Sequence, residues 1–251
     1  MSQKKFAYCL VSASPVRAEA ADQSEIVTQL LFGELVEVHE INHPWASITV
    51  LSDGYKGIID HKHVKLLSDK EAKRWQDGLS TLEDRTRLLK TPWGNQWIYR
   101  GSWVPVNIGS FSIGSDEFSF EDDSSNTCES ILDYAMDYLN TPYLWGGKSP
   151  YGIDCSGITQ VIYRFFGYNM PRDASEQVDL GTEIDYEDLQ AGDLAYFKST
   201  SGKVTHVGIC DGNGGIIHAS GHVRLDKFDE RGIFREDIGS LTHPLYVIKR
   251  M

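Results

Sequence analysis

An acidic, serine-rich stretch, Glu121-Asp-Asp-Ser-Ser-Asn126, separates two parts of the sequence that differ in texture. Before it, short β-branched and aromatic runs alternate with turn-forming residues, which is typical of strands. After it, two amphipathic helical patterns precede a series of strand-like runs. The chain has 251 residues, and domains average roughly 150 residues. We therefore expect two unequal domains with a boundary near residue 124.

The first part is predicted to fold as a small all-β barrel over residues 1–67, because short strands at close spacing favour that architecture. The turn Ser52-Asp53-Gly54 is a hairpin signal between two of the strands. The predicted strands are Phe6–Val11, Ile26–Phe32, Leu35–Val38, Trp45–Leu51 and Tyr55–Ile59.

Residues 68–124 are predicted to form a connector followed by an additional β region. Residues 68–90 are rich in charge and are expected to be helical, whereas residues 91–120 return to β texture with several aromatic side chains. Whether residues 68–124 make a second small barrel or a long elaboration of the first stays open at this point.

Residues 125–251 are predicted to form an α+β domain, because helices come first and strands follow. Asn126 and Glu129 have the spacing of a capping box for the first helix. A second helix is expected to begin near Cys155 and to end at Gly167. The predicted strands are Leu194–Phe197, His206–Cys210, Gly215–His218 and Leu245–Lys249.

The charge of the chain argues against several classes of partner. Its 36 acidic and 24 basic residues give a formal net charge of −12, whereas binding to nucleic acid requires a basic face. Binding to a membrane surface through a basic helix is disfavoured for the same reason.

The apolar run Phe6–Val11 is shorter than the roughly 7–15 residues of a signal-peptide core, so a cytoplasmic location is expected. The four cysteines are widely spaced, which suits reduced thiols.

The segment His39-Glu40-Ile41-Asn42-His43 matches the H-E-x-x-H pattern of zinc peptidases. That chemistry needs both histidines on one face of a helix. Pro44 follows His43 directly, and a residue before proline is pushed out of the helical region. We therefore predict a strand, a turn and a strand here, and we expect neither a metal nor a cofactor.

Cys155 is the strongest candidate for chemistry, because it opens a predicted helix after Asp154, a residue able to cap that helix. Backbone N–H groups and the helix dipole favour a thiolate at this position, which predicts a lowered pKa. His206 and His218 lie at the ends of consecutive predicted strands, which can bring them together beside the thiol. The other cysteines, Cys9, Cys128 and Cys210, are predicted to be structural.

At four motifs the sequence resembles the NlpC-type cysteine peptidases of bacterial cell-wall peptides. The motifs are Asp154-Cys155-Ser156-Gly157, Gly192-Asp193-Leu194, Thr205-His206-Val207-Gly208 and Ile217-His218-Ala219-Ser220. The resemblance implies a papain-like core over about residues 127–250, with Cys155 as nucleophile, His206 as general base and acid, and His218 orienting His206. The N-terminal β region is similar to the bacterial SH3-like domains that precede such cores.

Within that family the sequence looks most like the γ-D-glutamyl-L-diamino-acid endopeptidases, which act on free murein stem peptides. In these enzymes an aspartate after Pro-Arg holds the free amino terminus of the substrate, and Asp173 matches it, although Ala174 replaces a common hydroxyl residue. The resemblance also places Tyr143, Asp154, Ser156 and the SH3-like residue Tyr55 around the substrate. The expected partner is therefore a murein-derived peptide, and no oligomeric state is predicted.

Three alternatives remain from the sequence. A non-catalytic binder of wall peptides would use the same domains, but it would not need the cysteine and histidines. An amidase or a transacylase would keep the nucleophile and act on another bond. A zinc peptidase at the H-E-x-x-H segment is the third alternative.

Overall fold

The packing of the chain divides it into two units. The computed structural model describes residues 4–105, 109–121 and 128–251. Unit 1 comprises Met1–Thr127 together with Trp145–Pro150, and unit 2 comprises Cys128–Leu144 together with Tyr151–Met251. The expected boundary near residue 124 and the capping residue Asn126 lie outside the described residues.

Unit 1 begins with a seven-stranded antiparallel sheet in the order β3-β2-β6-β5-β4-β1-β7. Alternate side chains of these strands are buried in an aliphatic core, as in β5, where Ala46, Ile48 and Val50 point inward. The five predicted strands are confirmed, although β4 extends from the predicted end at Val38 to Asn42, and β2 and β7 were not predicted. Their bounds are β1 Lys5–Cys9, β2 Ala13–Arg17, β3 Ile26–Leu31, β4 Leu35–Asn42, β5 Trp45–Val50, β6 Lys56–Asp60 and β7 Val64–Leu67, with a 3-10 turn His61–His63 before β7.

The described residues between 68 and 121 form one short helix and six further strands of unit 1 around an aromatic core. Only Asp69–Gln76 (α1) is helical, so the prediction of helix over residues 68–90 is wrong beyond residue 76. Beyond that residue the chain forms strands, and Leu82 and Leu89 pack with Ile98, Phe111 and Phe118. The strands are β8 Leu79–Thr81, β9 Thr86–Thr91, β10 Gly94–Tyr99, β11 Trp103–Pro105, β12 Ser110–Ile113 and β13 Asp116–Phe120.

The segment Trp145–Pro150, which contains β14 (Lys148–Ser149), is held inside unit 1 by polar contacts. The Lys148 ammonium lies 3.1 and 3.3 Å from the two carboxylate oxygens of Glu34, and both side chains are only 1% exposed. The Lys148 backbone N–H donates to the Gln29 side chain at 2.8 Å. At Gly146, with φ of 78°, an added Cβ would lie 2.4 Å from the Ile26 carbonyl oxygen, so only glycine fits.

Unit 2 contains three helices and eight strands within its described residues. The helices are α2 Ile131–Asp137, α3 Cys155–Phe165 and α4 Ala174–Gln177. The strands are β15 Gly152–Ile153, β16 Thr182–Ile184, β17 Leu194–Lys198, β18 Val204–Cys210, β19 Gly215–Ser220, β20 His222–Asp229, β21 Gly232–Arg235 and β22 Ser240–Arg250. A 3-10 turn, Tyr186–Asp188, follows β16.

The long strand β22 closes the sheet of unit 2. Its first half pairs with β21 and its second half pairs with β17, so the six strands β17–β22 form a closed antiparallel barrel. Helix α3 packs against β18 and β19 through an apolar face that includes Ile158 and Ile162. This packing brings the first turn of α3 next to the two strands that carry the candidate histidines.

Capping residues set where the helices of unit 2 begin. Ser130 and Asp133 form the capping box of α2, in which the Ser130 hydroxyl accepts from the Asp133 N–H at 3.1 Å. The prediction of this role for Glu129 is therefore wrong, because the helix starts about four residues later than the Asn126–Glu129 spacing requires. The predicted start of α3 at Cys155 and its stop before Gly167 are confirmed.

No helix among the described residues is long and apolar enough to cross a membrane.

Candidate active site

Cys155 is the first residue of α3, and Asp154 fixes that start. The Asp154 carboxylate accepts the backbone N–H of Gly157 at 2.7 Å, as predicted for an N-cap. The Cys155 sulfur accepts hydrogen bonds from the backbone N–H groups of Ser156 and Val207. Since Val207 follows His206 in β18, the candidate nucleophile and the candidate base lie in one site.

Burial disfavours ionisation of the Cys155 thiol in the free protein. Burial raises its pKa to about 12, the nearby Asp154 carboxylate acts in the same direction, and the two backbone hydrogen bonds offset only part of this effect. The predicted lowering of this pKa is therefore wrong, because desolvation of the thiolate outweighs the helix dipole. Deprotonation consequently requires a base at the moment of attack.

His206 and His218 meet across neighbouring strands of the barrel. His206 Nε2 lies 2.8 Å from His218 Nδ1, and both rings are buried. Gly208, which pairs with His218, has no room for a side chain: an added Cβ would lie 2.6 Å from Ile216 and 3.1 Å from the His218 Cβ. Burial, followed by the neighbouring rings of His218 and His243, lowers the pKa of His206 well below its usual value, so this imidazole is neutral and can act as a base.

Asp226 on β20 extends this pair and was missed from the sequence. Its carboxylate lies 3.0 Å from His218 Nε2. Arg224 contacts both oxygens of the same carboxylate, at 2.6 and 2.8 Å. Asp226 faces Ile216 across the strand pair, which puts it on the diagonal from His218. Arg224 and Asp226 stand at alternate positions of a strand, a pattern that is typical of a solvent-exposed face. Nothing in the sequence therefore indicated that Asp226 contacts His218.

His243 on β22 covers the other side of His206. The two rings stack with centroids 4.4 Å apart and an interplanar angle of 27°. Burial lowers the pKa of His243 to about 4, with His218 as the next contribution, so this ring is also neutral. Stacking of a neutral ring restricts rotation of the His206 imidazole without adding charge beside it.

Arg172 is a buried residue that organises the start of α3, and its role was also missed. Its guanidinium contacts both carboxylate oxygens of Asp154, at 2.5 and 3.1 Å, and donates to the Ser156 hydroxyl at 2.9 Å. Asp154 and Ser156, which were predicted to bind substrate, therefore make internal contacts that hold the start of the helix. A bidentate arginine–carboxylate pair of this kind fixes orientation as well as charge.

The other predicted substrate residues occupy different surroundings. Tyr143 packs against the core that contains Cys155, and burial, with the Cys155 and Asp154 charges next, raises its pKa above the usual value. Asp173 precedes α4 but makes no capping hydrogen bond with its side chain among the described residues, so capping does not account for it. Tyr55 belongs to unit 1, where it packs against the core of the seven-stranded sheet.

The H-E-x-x-H segment lies on β4 and the turn to β5, so the predicted strand, turn and strand are confirmed. His39 bonds the Thr49 hydroxyl at 2.7 Å, while His43 bonds His61 at 3.0 Å. The two histidines of the motif thus have separate partners and do not share a helix face. Within the described part of the chain, no group of three or more potential ligands is arranged to hold a metal ion.

Comparison with known proteins identifies the families that two parts of the chain match. Residues 140–241 match the NlpC/P60 family, and residues 16–64 match the bacterial dipeptidyl-peptidase Sh3 domain. The chain therefore carries a domain of the NlpC/P60 peptidase family preceded by a bacterial SH3 domain. The predicted fold class, a papain-like NlpC-type domain after a small all-β SH3-like region, is confirmed.

Two relatives share the same description, γ-D-glutamyl-L-lysine dipeptidyl-peptidase. The protein from Bacillus subtilis is 29% identical over 228 residues, which cover 77% of this chain and 72% of the relative. The protein from Bacillus cereus is 35% identical over 120 residues, which cover 47% of this chain but only 34% of the relative. A solved NlpC/P60 family protein from Bacillus cereus has a TM-score of 0.77 at 21% identity and covers 98% of this chain and 99% of its own, which indicates the shared fold.

Proposed function

We propose that this protein is a cysteine endopeptidase that hydrolyses the amide bond between γ-D-glutamate and a diamino acid in free murein stem peptides. The observation that carries the proposal is the hydrogen bond that the Cys155 sulfur accepts from the backbone N–H of Val207, the residue after His206, whose ring is hydrogen-bonded to His218. A buried thiol needs an adjacent base to become a nucleophile, and a neutral imidazole meets that need. The relatives named for γ-D-glutamyl-L-lysine peptides support the choice of bond.

In the proposed reaction, His206 takes the thiol proton while the Cys155 sulfur attacks the γ-carbonyl carbon of D-glutamate. Backbone N–H groups at the start of α3 stabilise the resulting oxyanion. The carbon–nitrogen bond then breaks, and protonated His206 gives its proton to the departing amine, which leaves a thioester on Cys155. Water adds to the thioester with His206 again as base, which releases the carboxylic acid and restores the thiol.

A defined tripeptide tests the bond and the substrate class. L-Ala-γ-D-Glu-L-Lys and its diaminopimelate counterpart are each incubated with the protein, with and without an N-terminal acetyl group, and the products are analysed by mass spectrometry. The expected products are L-Ala-D-Glu and the free diamino acid, formed much faster from the unblocked peptide. Cleavage between alanine and glutamate, or equal rates on blocked and free peptides, would contradict the proposed specificity.

Asp173 is proposed to bind the free amino terminus of the substrate. Replacing Asp173 by alanine is expected to reduce kcat/KM on the free tripeptide by about 10- to 100-fold, because one charge-assisted hydrogen bond contributes roughly 1.5–3 kcal/mol. The rate on the acetylated peptide should stay unchanged. Asp179→Ala, which removes an exposed carboxylate six residues further along the chain, is the matched control. Equal losses on free and acetylated peptides would mean that Asp173 does not recognise the amine.

A further inference from the structure

A buried line of hydrogen bonds runs from His206 through His218 to Asp226. The two links measure 2.8 Å, between His206 Nε2 and His218 Nδ1, and 3.0 Å, between His218 Nε2 and Asp226 Oδ2. The His218 side chain is fully buried and that of Asp226 is 6% exposed, so water does not compete for these contacts. Each ring nitrogen in the line therefore depends on its protein partner for a hydrogen bond.

The Asp226 carboxylate, at the end of this line of hydrogen bonds, determines which histidine ring nitrogens carry protons. Burial opposes ionisation of Asp226, but hydrogen bonds from His218 and Arg224 prevail and lower its pKa, so the carboxylate only accepts. His218 must then donate from Nε2, and a neutral His218 presents a lone pair at Nδ1. His206 in turn must donate from Nε2, which leaves the lone pair of a neutral His206 on Nδ1.

We propose that Asp226 is a positioning residue that fixes the tautomers of His218 and His206, so that the basic nitrogen of His206 is Nδ1. This inference rests on the proposed function, because the nitrogen that matters is the one available to the Cys155 thiol. In the opposite arrangement, His218 would carry its proton on Nδ1 and donate it to His206 Nε2. His206 would then be protonated on Nδ1, and it would have no free lone pair with which to take the proton of the thiol.

The surroundings of the line favour Asp226 as the element that decides between the two arrangements. On β20, Arg224 holds the carboxylate in place and also contacts Asp237 at 3.2 Å. Arg235 on β21 adds positive charge near His218, and His243 on β22 faces both histidines as a neutral ring. Asp226 is thus the hydrogen-bond acceptor that the structure gives to His218 Nε2.

Nitrogen-15 NMR of histidine-labelled protein tests the tautomers directly, because protonated and bare ring nitrogens give separate signals. The His206 and His218 signals are assigned by their loss in His206→Gln and His218→Gln variants. Near neutral pH, both rings are expected to have a protonated Nε2 and a bare Nδ1. A bare Nε2 on either ring overturns the inference. This readout needs no substrate, so it is independent of the proposed function.

Kinetics of Asp226→Asn test whether the tautomer matters for the reaction. The expected result is a loss in kcat of about 10- to 100-fold with KM within about twofold, smaller than the roughly 10⁴-fold loss known for an aspartate that contacts a catalytic histidine directly. Asp226 raises the pKa of His218, so loss of its charge should lower that pKa, which titration of the His218 nitrogen-15 signals measures. The matched control is Asp237→Asn, which loses contacts with Arg224 and Arg235 but touches neither histidine.

A double variant separates positioning from a structural effect. If Asp226 acts through His218, adding Asp226→Asn to His218→Gln should change kcat by less than about threefold, because coupled residues are not additive. An undiminished loss in that background, or an equal loss in Asp237→Asn, would overturn the inference. If Asp226→Asn does not fold, the NMR result on the unaltered protein can still overturn the inference, because a bare Nε2 on either ring is incompatible with it. Retained activity in Cys155→Ala would instead refute the proposed function and leave the tautomers untouched.

Discussion

Replacing Cys155 by alanine is expected to abolish hydrolysis of L-Ala-γ-D-Glu-diamino acid peptides, with a loss in kcat of at least about 10⁴-fold, because removal of a nucleophile from a catalytic unit costs up to roughly 10⁶-fold. The substitution deletes one sulfur atom and leaves the Asp154 cap and the Arg172 contacts of α3 in place. The thermal midpoint should therefore change little.

The measurement is product formation by mass spectrometry over long incubations, accompanied by thermal unfolding of each variant. Cys128→Ala is the matched control, because Cys128 is a half-buried thiol that packs against the same core as Cys155. The control should retain full activity. Residual activity of Cys155→Ala above about one hundredth of the unaltered rate would exclude Cys155 as the nucleophile, since background from binding alone is far weaker.

Replacing Lys148 by methionine is expected to destabilise unit 1 by about 3–5 kcal/mol, the usual result of removing one partner of a buried ion pair. Glu34 would keep its hydrogen bonds from the Leu31 N–H and the Ser52 hydroxyl, at 3.2 and 2.8 Å. It would lose its buried counter-charge, and the carboxylate would have to be protonated or hydrated for unit 1 to remain folded. Most of the expected loss is this uncompensated charge.

Urea unfolding of the full chain, followed by tryptophan fluorescence, measures the effect. Lys4→Met is the control, because its pair with Glu37 is exposed, so the free energy of unfolding should change little. The double variant Lys148→Met with Glu34→Gln should recover part of the stability, since it removes both charges. If Lys148→Met and Lys4→Met have equally small effects, the buried pair does not stabilise unit 1.

Local chemistry made the start of α3 predictable from the sequence. Asp154 directly before Cys155, with Gly157 two residues after the cysteine, specifies a capped helix start. The regular apolar spacing from Ile158 onward specifies the buried face of the helix. His206 and His218 were also predictable as neighbours, because consecutive antiparallel strands pair. Each of these features depends on residues in the same element or in consecutive elements of the chain.

The remaining features depend on contacts between distant residues, which sequence pattern does not encode. Arg172 reaches Asp154 across 18 positions, and a lone arginine before an aspartate predicts nothing about that contact. His243 reaches His206 only because β22 closes the barrel. Residues 77–90 were misread as helix because of charged residues such as Glu83, Asp84 and Arg85, which lie in the loop between β8 and β9.

The closing strand β22 also determines when unit 2 can acquire its native form during synthesis. The ribosome adds roughly 5–20 residues per second, so β17–β21 emerge before the strand that joins both ends of their sheet. Until β22 arrives, β17 and β21 present unpaired backbone edges, and His206 lacks the ring that stacks on it. The nascent chain therefore carries its thiol and imidazoles for some time without the closed barrel, and the stacking of His243 on His206 begins only with the last strand of the unit.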